Sequence, residues 1–392
     1  MEYIDAEKLE DHVVIALKGH IDSANAEQVE NEINTFRTGC EQLPVTINAQ
    51  ELEYISSAGL RILLRLKKST DIKIENVSSE VYDVLEMTGF TEMMEVHKAY
   101  RQLSVENCEV IGQGANGKVY RIDPDTIVKV YHDPDALPEI QRERELARTA
   151  LILGIPTAIP YDVVKVGDCY GSVFELLNAK SFAQLLKEDP SKIDQIAEMS
   201  VDLLKKIHGT LVKPDAMPDM REVALNWAAF MKDYLPEEEA QKLYRLVDEV
   251  PQDLHMLHGD YHIKNVMLQN DEVLLIDMDT LCTGHPIFEF ASAFNAYQGF
   301  SLFDHEQIER FLGISYETGA QMWDKLLHLY FADKSEEEIQ QIADKAKLIG
   351  CTRIMRRAIR RKALETEEGK ASVEQYKNLI IELVRKIDTL LY

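Results

Sequence analysis

The chain has 392 residues, 45% of them hydrophobic, and a formal net charge of −25. That length allows two or three domains with real cores, while the acidic balance argues against general binding to nucleic acid or anionic membranes. No apolar run of about eighteen residues and no secretory leader is visible, and the five scattered cysteines, without a CxxC pair, fit reduced thiols of a cytoplasmic protein.

The chain opens with a short apolar strand, Val13-Val14-Ile15-Ala16-Leu17, closed by Gly19 and the turn His20-Ile21-Asp22. Ser23 or Asn25 then caps a helix running to about Arg37. Val45-Thr46-Ile47 reads as a second strand, Leu52 to Ala58 as a loop and Gly59 to Leu66 as a helix. Ile72 to Val77 alternates like a strand. A helix from Ser79, with Val81, Val84 and Leu85 on one stripe, stops at Gly89. Strands alternating with helices predict a small α/β domain over residues 1–102.

Two stretches of this domain, Leu17 to Asp22 and Leu52 to Arg61, resemble the STAS family, the anti-sigma-factor-antagonist domains. The resemblance implies a STAS fold and a possible protein partner. Switching members of that family carry a phosphorylated serine just before the glycine of an Asp-Ser-Ser-Gly-Leu run. Here the run is Ser56-Ser57-Ala58-Gly59-Leu60, so the acceptor position is Ala58, which has no hydroxyl. Ser57 is displaced by one residue and reads as a helix-start serine.

A strand from Val105 then leads into Gly112-Gln113-Gly114-Ala115-Asn116-Gly117-Lys118-Val119, a GxGxxGxV pattern. A dinucleotide fingerprint would open a helix. Here an alternating strand follows instead, then the turn Asp123-Pro124-Asp125 and the strand Thr126 to Tyr131, with Lys129 at its centre. A glycine hairpin followed by a strand lysine suits phosphate binding in a kinase. The helical stretch Leu137 to Leu153 offers Glu139, Glu143 and Glu145, one of which should pair with Lys129. Two further strands, Ile159 to Val166 and Tyr170 to Leu177, complete a small lobe over residues 103–178. Residues 179–392 are mostly helical.

Within that helical part stands Leu257-His258-Gly259-Asp260-Tyr261-His262-Ile263-Lys264-Asn265, followed by the apolar run Val273 to Ile276 and Asp277-Met278-Asp279. His-x-Asp, then Asn, then a strand ending in Asp is the pattern of a phosphoryl-transfer loop. One carboxylate takes a hydroxyl proton, and a carboxamide with a second carboxylate holds Mg²⁺. The basic stretch Arg353 to Lys362 reads first as a solvated helix face, with an anion-binding or docking surface as the sharper alternative.

Residues 108 to about 330 resemble the aminoglycoside phosphotransferase and choline kinase superfamily. The resemblance rests on the glycine hairpin, Lys129, the His258 to Asn265 loop and Leu275 to Asp279. It implies a two-lobed, α+β protein-kinase-like fold with a mostly helical second lobe. It also implies ATP and Mg²⁺ as cofactors, with Asp260 as base and Asn265 and Asp277 on the metal. Gly112, Gly114, Asn116, Gly117 and Lys129 would bind the phosphates, Glu143 would hold the lysine, and the Glu175 and Leu177 backbones would meet adenine. His-Gly-Asp in place of His-Arg-Asp, and the lack of Asp-Phe-Gly and Ala-Pro-Glu, point to a small-molecule hydroxyl acceptor. Glu289 departs from the aspartate more usual in such sequences. The alternative reading is a signalling protein whose kinase-like part senses nucleotide or phosphorylates a partner.

Overall fold

The computed structural model describes residues 3–114 and 116–392; Ala115, inside the glycine run, lies outside them. The chain divides into two compact units, Met1–Ser104 and Val105–Tyr392.

The first unit is a five-stranded sheet built from β1 (Ile4–Lys8), β2 (Val13–Ile21), β3 (Val45–Ile55), β4 (Ile72–Val77) and β5 (Glu95–Lys98), in that spatial order. β1 and β2 are antiparallel, and the remaining pairs are parallel. The helices α1 (Ala26–Arg37), α2 (Ser57–Ser69) and α3 (Ser79–Met87) supply the crossovers. Each buries a stripe, as in Val29 and Ile33, Leu63 and Leu66, and Val81 and Leu85.

Two expectations are corrected in this unit. β2 runs on to Ile21, and β3 continues through the stretch read as a loop, as far as Ile55. Gly19 pairs with Leu52 and Ile21 with Ile55, across register shifts that follow Ala16 and Gly19. The buried Leu52 and Ile55 stand three residues apart, so strand periodicity is broken and a sequence reading sees a loop.

The second unit begins with an antiparallel sheet of β6 (Glu109–Gln113), β7 (Gly117–Asp123), β8 (Thr126–Tyr131), β9 (Pro160–Val166) and β10 (Cys169–Glu175). These strands lie in the order β9-β10-β8-β7-β6. β6 starts at Glu109, later than the Val105 expected. The helix α4 (Leu137–Ile152) interrupts this sheet in sequence and buries Ile140, Glu143, Leu146 and Ala147. A carboxylate within that apolar set needs a partner, and β8 provides one.

The rest of the unit is helical around one large core. α5 (Ile193–His208) buries Ile196, Ala197, Ser200, Val201, Leu204 and Ile207, at helical spacing. The hairpin of β11 (Val266–Gln269) and β12 (Glu272–Leu275) brackets the loop that follows Leu257. α6 (Ile287–Tyr297) is buried on every side. It packs against the 25-residue α7 (Glu336–Arg360), which starts on a capping box of Ser335 and Glu338. α8 (Glu367–Lys386) closes the chain's helical order against α7.

Candidate active site

The loop from Leu257 to Val266 owes its shape to atoms far away in sequence. Gly259 has φ +79°, and a Cβ there would lie 2.4 Å from the Thr280 carbonyl oxygen, so only glycine fits between histidine and aspartate. The Thr280 hydroxyl donates to the His258 carbonyl at 2.8 Å. The Asp260 N–H faces His258 Nδ1 at 3.3 Å while His258 Nε2 meets the Ile276 carbonyl at 3.2 Å. That pairing fits an imidazole protonated on Nε2. The Asn265 carboxamide donates to the Asp260 carbonyl at 3.0 Å, tying both ends of the loop together.

Beneath this loop lies Glu289 on α6, with no exposed surface. Its carboxylate accepts from the backbone N–H groups of His258 and Gly259, the latter at 3.0 and 3.2 Å. Burial pushes its pKa up. The His208 ring at 3.9 Å, His258 and the Gly259 N–H more than offset that and hold it below the usual carboxylate value. Arg353 on α7 holds the loop from another side, donating to the Gly259 carbonyl and to Ser292 Oγ, both at 3.1 Å. Its guanidinium lies over the Trp227 ring at 5.5 Å. Arg353 is therefore part of the protein's internal scaffold, which corrects the solvated-face reading at that residue; Arg357, Arg360, Arg361 and Lys362 are exposed, as that reading expects.

Lys129 on β8 meets Glu143 on α4 at 3.0 and 3.2 Å. The exposed Glu145 plays no part in that pair. The Tyr131 hydroxyl donates to Glu143 as well. Burial alone would lower the ammonium pKa, but Glu143 and Asp277, the latter at 3.2 Å, push it well above the ordinary lysine value. Asp277 itself sits at φ +63°, a left-handed conformation rare outside glycine. There the chain leaves β12 for the turn Met278–Thr280.

Gly112, Gly114, Asn116, Gly117, Lys129, Glu143, Asp260, Asn265 and Asp277 all line one cleft of about 620 Å³. Glu175 and Leu177 do not; the lining stops at Phe174. The Glu175 N–H is already given to the Ile159 carbonyl at 3.1 Å. The cleft also contains residues that the motif reading did not select, among them Lys264, Asp279, Arg357 and Arg361. The arginines did leave a signal: Arg353, Arg357 and Arg361 recur every fourth residue in a strongly acidic chain.

Asp260 is 39% exposed to the cleft yet lies deep in the protein mass. Burial works against its charge, but His262, whose Nε2 stands 3.5 Å away, together with Arg353 and His258, holds the pKa at about 2. Its carboxylate is therefore ionised at neutral pH. Burial and the neighbouring carboxylates Asp277 and Glu143 push Asp279 up to about 7. Among the described residues no group of three or more His, Cys, Asp or Glu side chains is gathered to hold a metal alone. Asn265 and Asp277 are oxygen donors of the kind Mg²⁺ takes when phosphate oxygens and waters complete its shell. The crowding of carboxylates that raises Asp279 is what a cation there would relieve.

The family model described as the phosphotransferase enzyme family, APH, matches residues 107–327, and the STAS domain model matches residues 3–103. Over 95 residues the chain is 30% identical to BtrV of Bordetella bronchiseptica, which carries the name of an anti-sigma factor antagonist; the match covers 23% of this chain and 81% of that protein. The fold resembles a thermostable aminoglycoside phosphotransferase APH(4)-Ia in its apo form, with TM-score 0.50, 12% identity, and coverage of 72% of this chain and 97% of that one. It likewise resembles a GDP complex of an aminoglycoside 2'-phosphotransferase-IIIa variant, with TM-score 0.50, 10% identity, and coverage of 76% and 96%. No helix among the described residues is long and apolar enough to cross a membrane.

Proposed function

The chain belongs to the phosphotransferase enzyme family, with a STAS domain ahead of the phosphotransferase domain, and from that premise we propose that it is an ATP- and Mg²⁺-dependent kinase acting on a small-molecule hydroxyl. The observation that carries this reading is the convergence of Lys129, Glu143, Asp260, Asn265 and Asp277 on the cleft that the glycine hairpin also lines. In this reading residues 103–178 form the small lobe and 179–392 the helical lobe, in a cytoplasmic protein. The turn from Gly112 to Gly117 and Lys129 take the phosphates, and Glu143 fixes the lysine. Just past the lining residue Phe174, the Glu175 carbonyl and the Leu177 N–H would meet the adenine, the Glu175 N–H being already given to Ile159. Asp260 accepts the proton of the acceptor hydroxyl as its oxygen bonds to the γ-phosphorus. The bond to the β–γ bridging oxygen breaks, and ADP leaves. Asn265 and Asp277 would hold Mg²⁺, which neutralises charge on the β- and γ-phosphates when bound.

Calorimetry of ATP binding tests the site. Tight binding with Mg²⁺, weakened by chelator and by Asp277→Ala, is expected. Equal binding with and without Mg²⁺ in the wild type overturns the assignment. The likeness to an anti-sigma factor antagonist favours one addition: residues 1–102 dock a protein partner, which regulates transfer or receives the phosphoryl group. Turnover with alcohols and aminoglycosides, set against transfer to a candidate protein partner, separates these acceptors.

A further inference from the structure

Next to the nucleotide cleft lies a second cavity of about 690 Å³. Asp260, Arg357 and Arg361 line both spaces, so the carboxylate assigned as base stands where they meet. Arg353, Arg357 and Arg361 share one face of α7 and its C-terminal cap, because they follow one another at intervals of four. Arg353 is committed to the loop. Three carboxylates line the cavity: Asp260 faces His262 at 3.5 Å, Asp304 accepts from Gln307 at 2.9 Å and meets Arg310 at 3.5 Å, and Glu368 makes no ion pair among the described residues. No ion pair reaches Arg357 or Arg361 among the described residues. Burial lowers the Arg357 pKa, and the charges of Arg361 and Arg353 lower it further, a crowding of cations that a bound anion would relieve.

The cavity is also lined by aromatic rings. The Arg357 guanidinium lies 5.9 Å from the Phe300 ring, and Phe300 meets Phe311 edge to face at 5.7 Å. Phe303, 45% exposed, packs against Tyr376 at 5.0 Å. Phe300 lines only the second cavity, so Arg357 reaches it as well as the nucleotide cleft, and Lys264 of that cleft likewise lies 5.5 Å from the Phe311 ring of the second cavity.

We propose that this second cavity is the acceptor site and that Arg357 and Arg361 select a hydroxyl compound bearing a phosphate monoester or carboxylate group. The inference rests on the kinase reading above. A guanidinium fork matches the paired oxygens of either anion. The same two charges repel a polycationic aminoglycoside, so the acceptor differs in sign from the ligands in the solved aminoglycoside phosphotransferases. The chain's net charge of −25 does not oppose this, since the local field at the cavity is set by its own arginines.

The test uses the full chain saturated with AMP-PNP and Mg²⁺, titrated in a calorimeter with glycerol 3-phosphate, glycerate, glycerol and neomycin. Either anionic probe is expected to bind, and glycerol and neomycin are not. Arg357→Gln and Arg361→Gln are each expected to weaken the anionic probe about 10-fold or more. Arg357→Lys, which keeps the charge but not the fork, should weaken it less. Melting curves confirm that each variant is folded. Absence of anionic binding in the wild type, indifference to both Gln variants, or preference for neomycin overturns the inference. So does binding of the anionic probe to the nucleotide-free chain that is lost once AMP-PNP is added, which would give the arginines to the nucleotide. Failure of the wild type to bind ATP, measured first and separately, sinks the kinase reading instead.

Discussion

Replacing Glu289 by glutamine removes one charge from a site with no exposed surface. The carboxylate accepts from two successive backbone N–H groups, those of His258 and Gly259. Bonds to a buried charge are worth about 1.5–3 kcal/mol each. Glutamine keeps one acceptor oxygen but turns an amide NH₂ toward the other donor, so one bond is lost and a donor is left facing a donor. The expected loss is about 2–4 kcal/mol, or about 3–7 °C in melting temperature for a unit of this size. Glu289→Asp keeps the charge but draws the carboxylate back by one carbon–carbon bond, about 1.5 Å, and should fall between the two.

The pH dependence follows from the sign of the shift. Glu289 has a folded-state pKa below its unfolded value near 4.3. Its stabilisation is therefore fully present above that unfolded value and disappears as pH falls through the folded-state value. Scanning calorimetry should show a constant gap between wild type and Glu289→Gln from pH 7 to about 5, narrowing below about pH 4. Because the same N–H groups position Asp260, phosphoryl transfer should fall with stability while ATP affinity changes less. A variant melting within about 1 °C of wild type at pH 7, or a gap that widens toward acid, would refute the reasoning.

Asp260→Asn keeps the side chain's shape but not its basicity; turnover should fall by at least ~10²-fold with ATP affinity nearly unchanged, and near-full transfer would move the base elsewhere, with Asp279 next. Gly117→Ala would bring a Cβ to 2.3 Å from the Val130 carbonyl oxygen, so β7 must part from β8; a lower melting temperature and weaker ATP binding are expected, and an unchanged pair of values refutes the close approach. Ser57 is exposed at the start of α2, whereas Ser56 caps the helix through the Ala58 N–H at 3.2 Å. Mass spectrometry after incubation with a serine kinase, or with the chain's own kinase domain and ATP, should find residues 56–58 unmodified. Stoichiometric phosphate on Ser57 would restore a phosphoswitch.

The sequence by itself determined the two kinds of unit and the motif residues that converge on the cleft. Its signals there are local: glycines where the backbone must turn, a lysine at the centre of a strand, and Asp and Asn at fixed offsets in one loop. Each depends on neighbours only a few residues away. What the sequence left open depends on distance in the chain. Leu52 to Ile55 becomes strand because β2 runs beside it, a pairing that no local pattern shows. Glu143 takes Lys129 and Glu145 does not, because the twist of α4 turns only the former inward. Glycine between His258 and Asp260 is fixed by the Thr280 carbonyl, and the loop's height by a carboxylate on α6. Arg353, Arg357 and Arg361 look like one solvated stripe; packing α7 against α6 brings Arg353 onto the loop, while Arg357 and Arg361 stay exposed where the two cavities meet. Charge patterning gives a helix its faces; only the packing of helices decides which of those faces meets water.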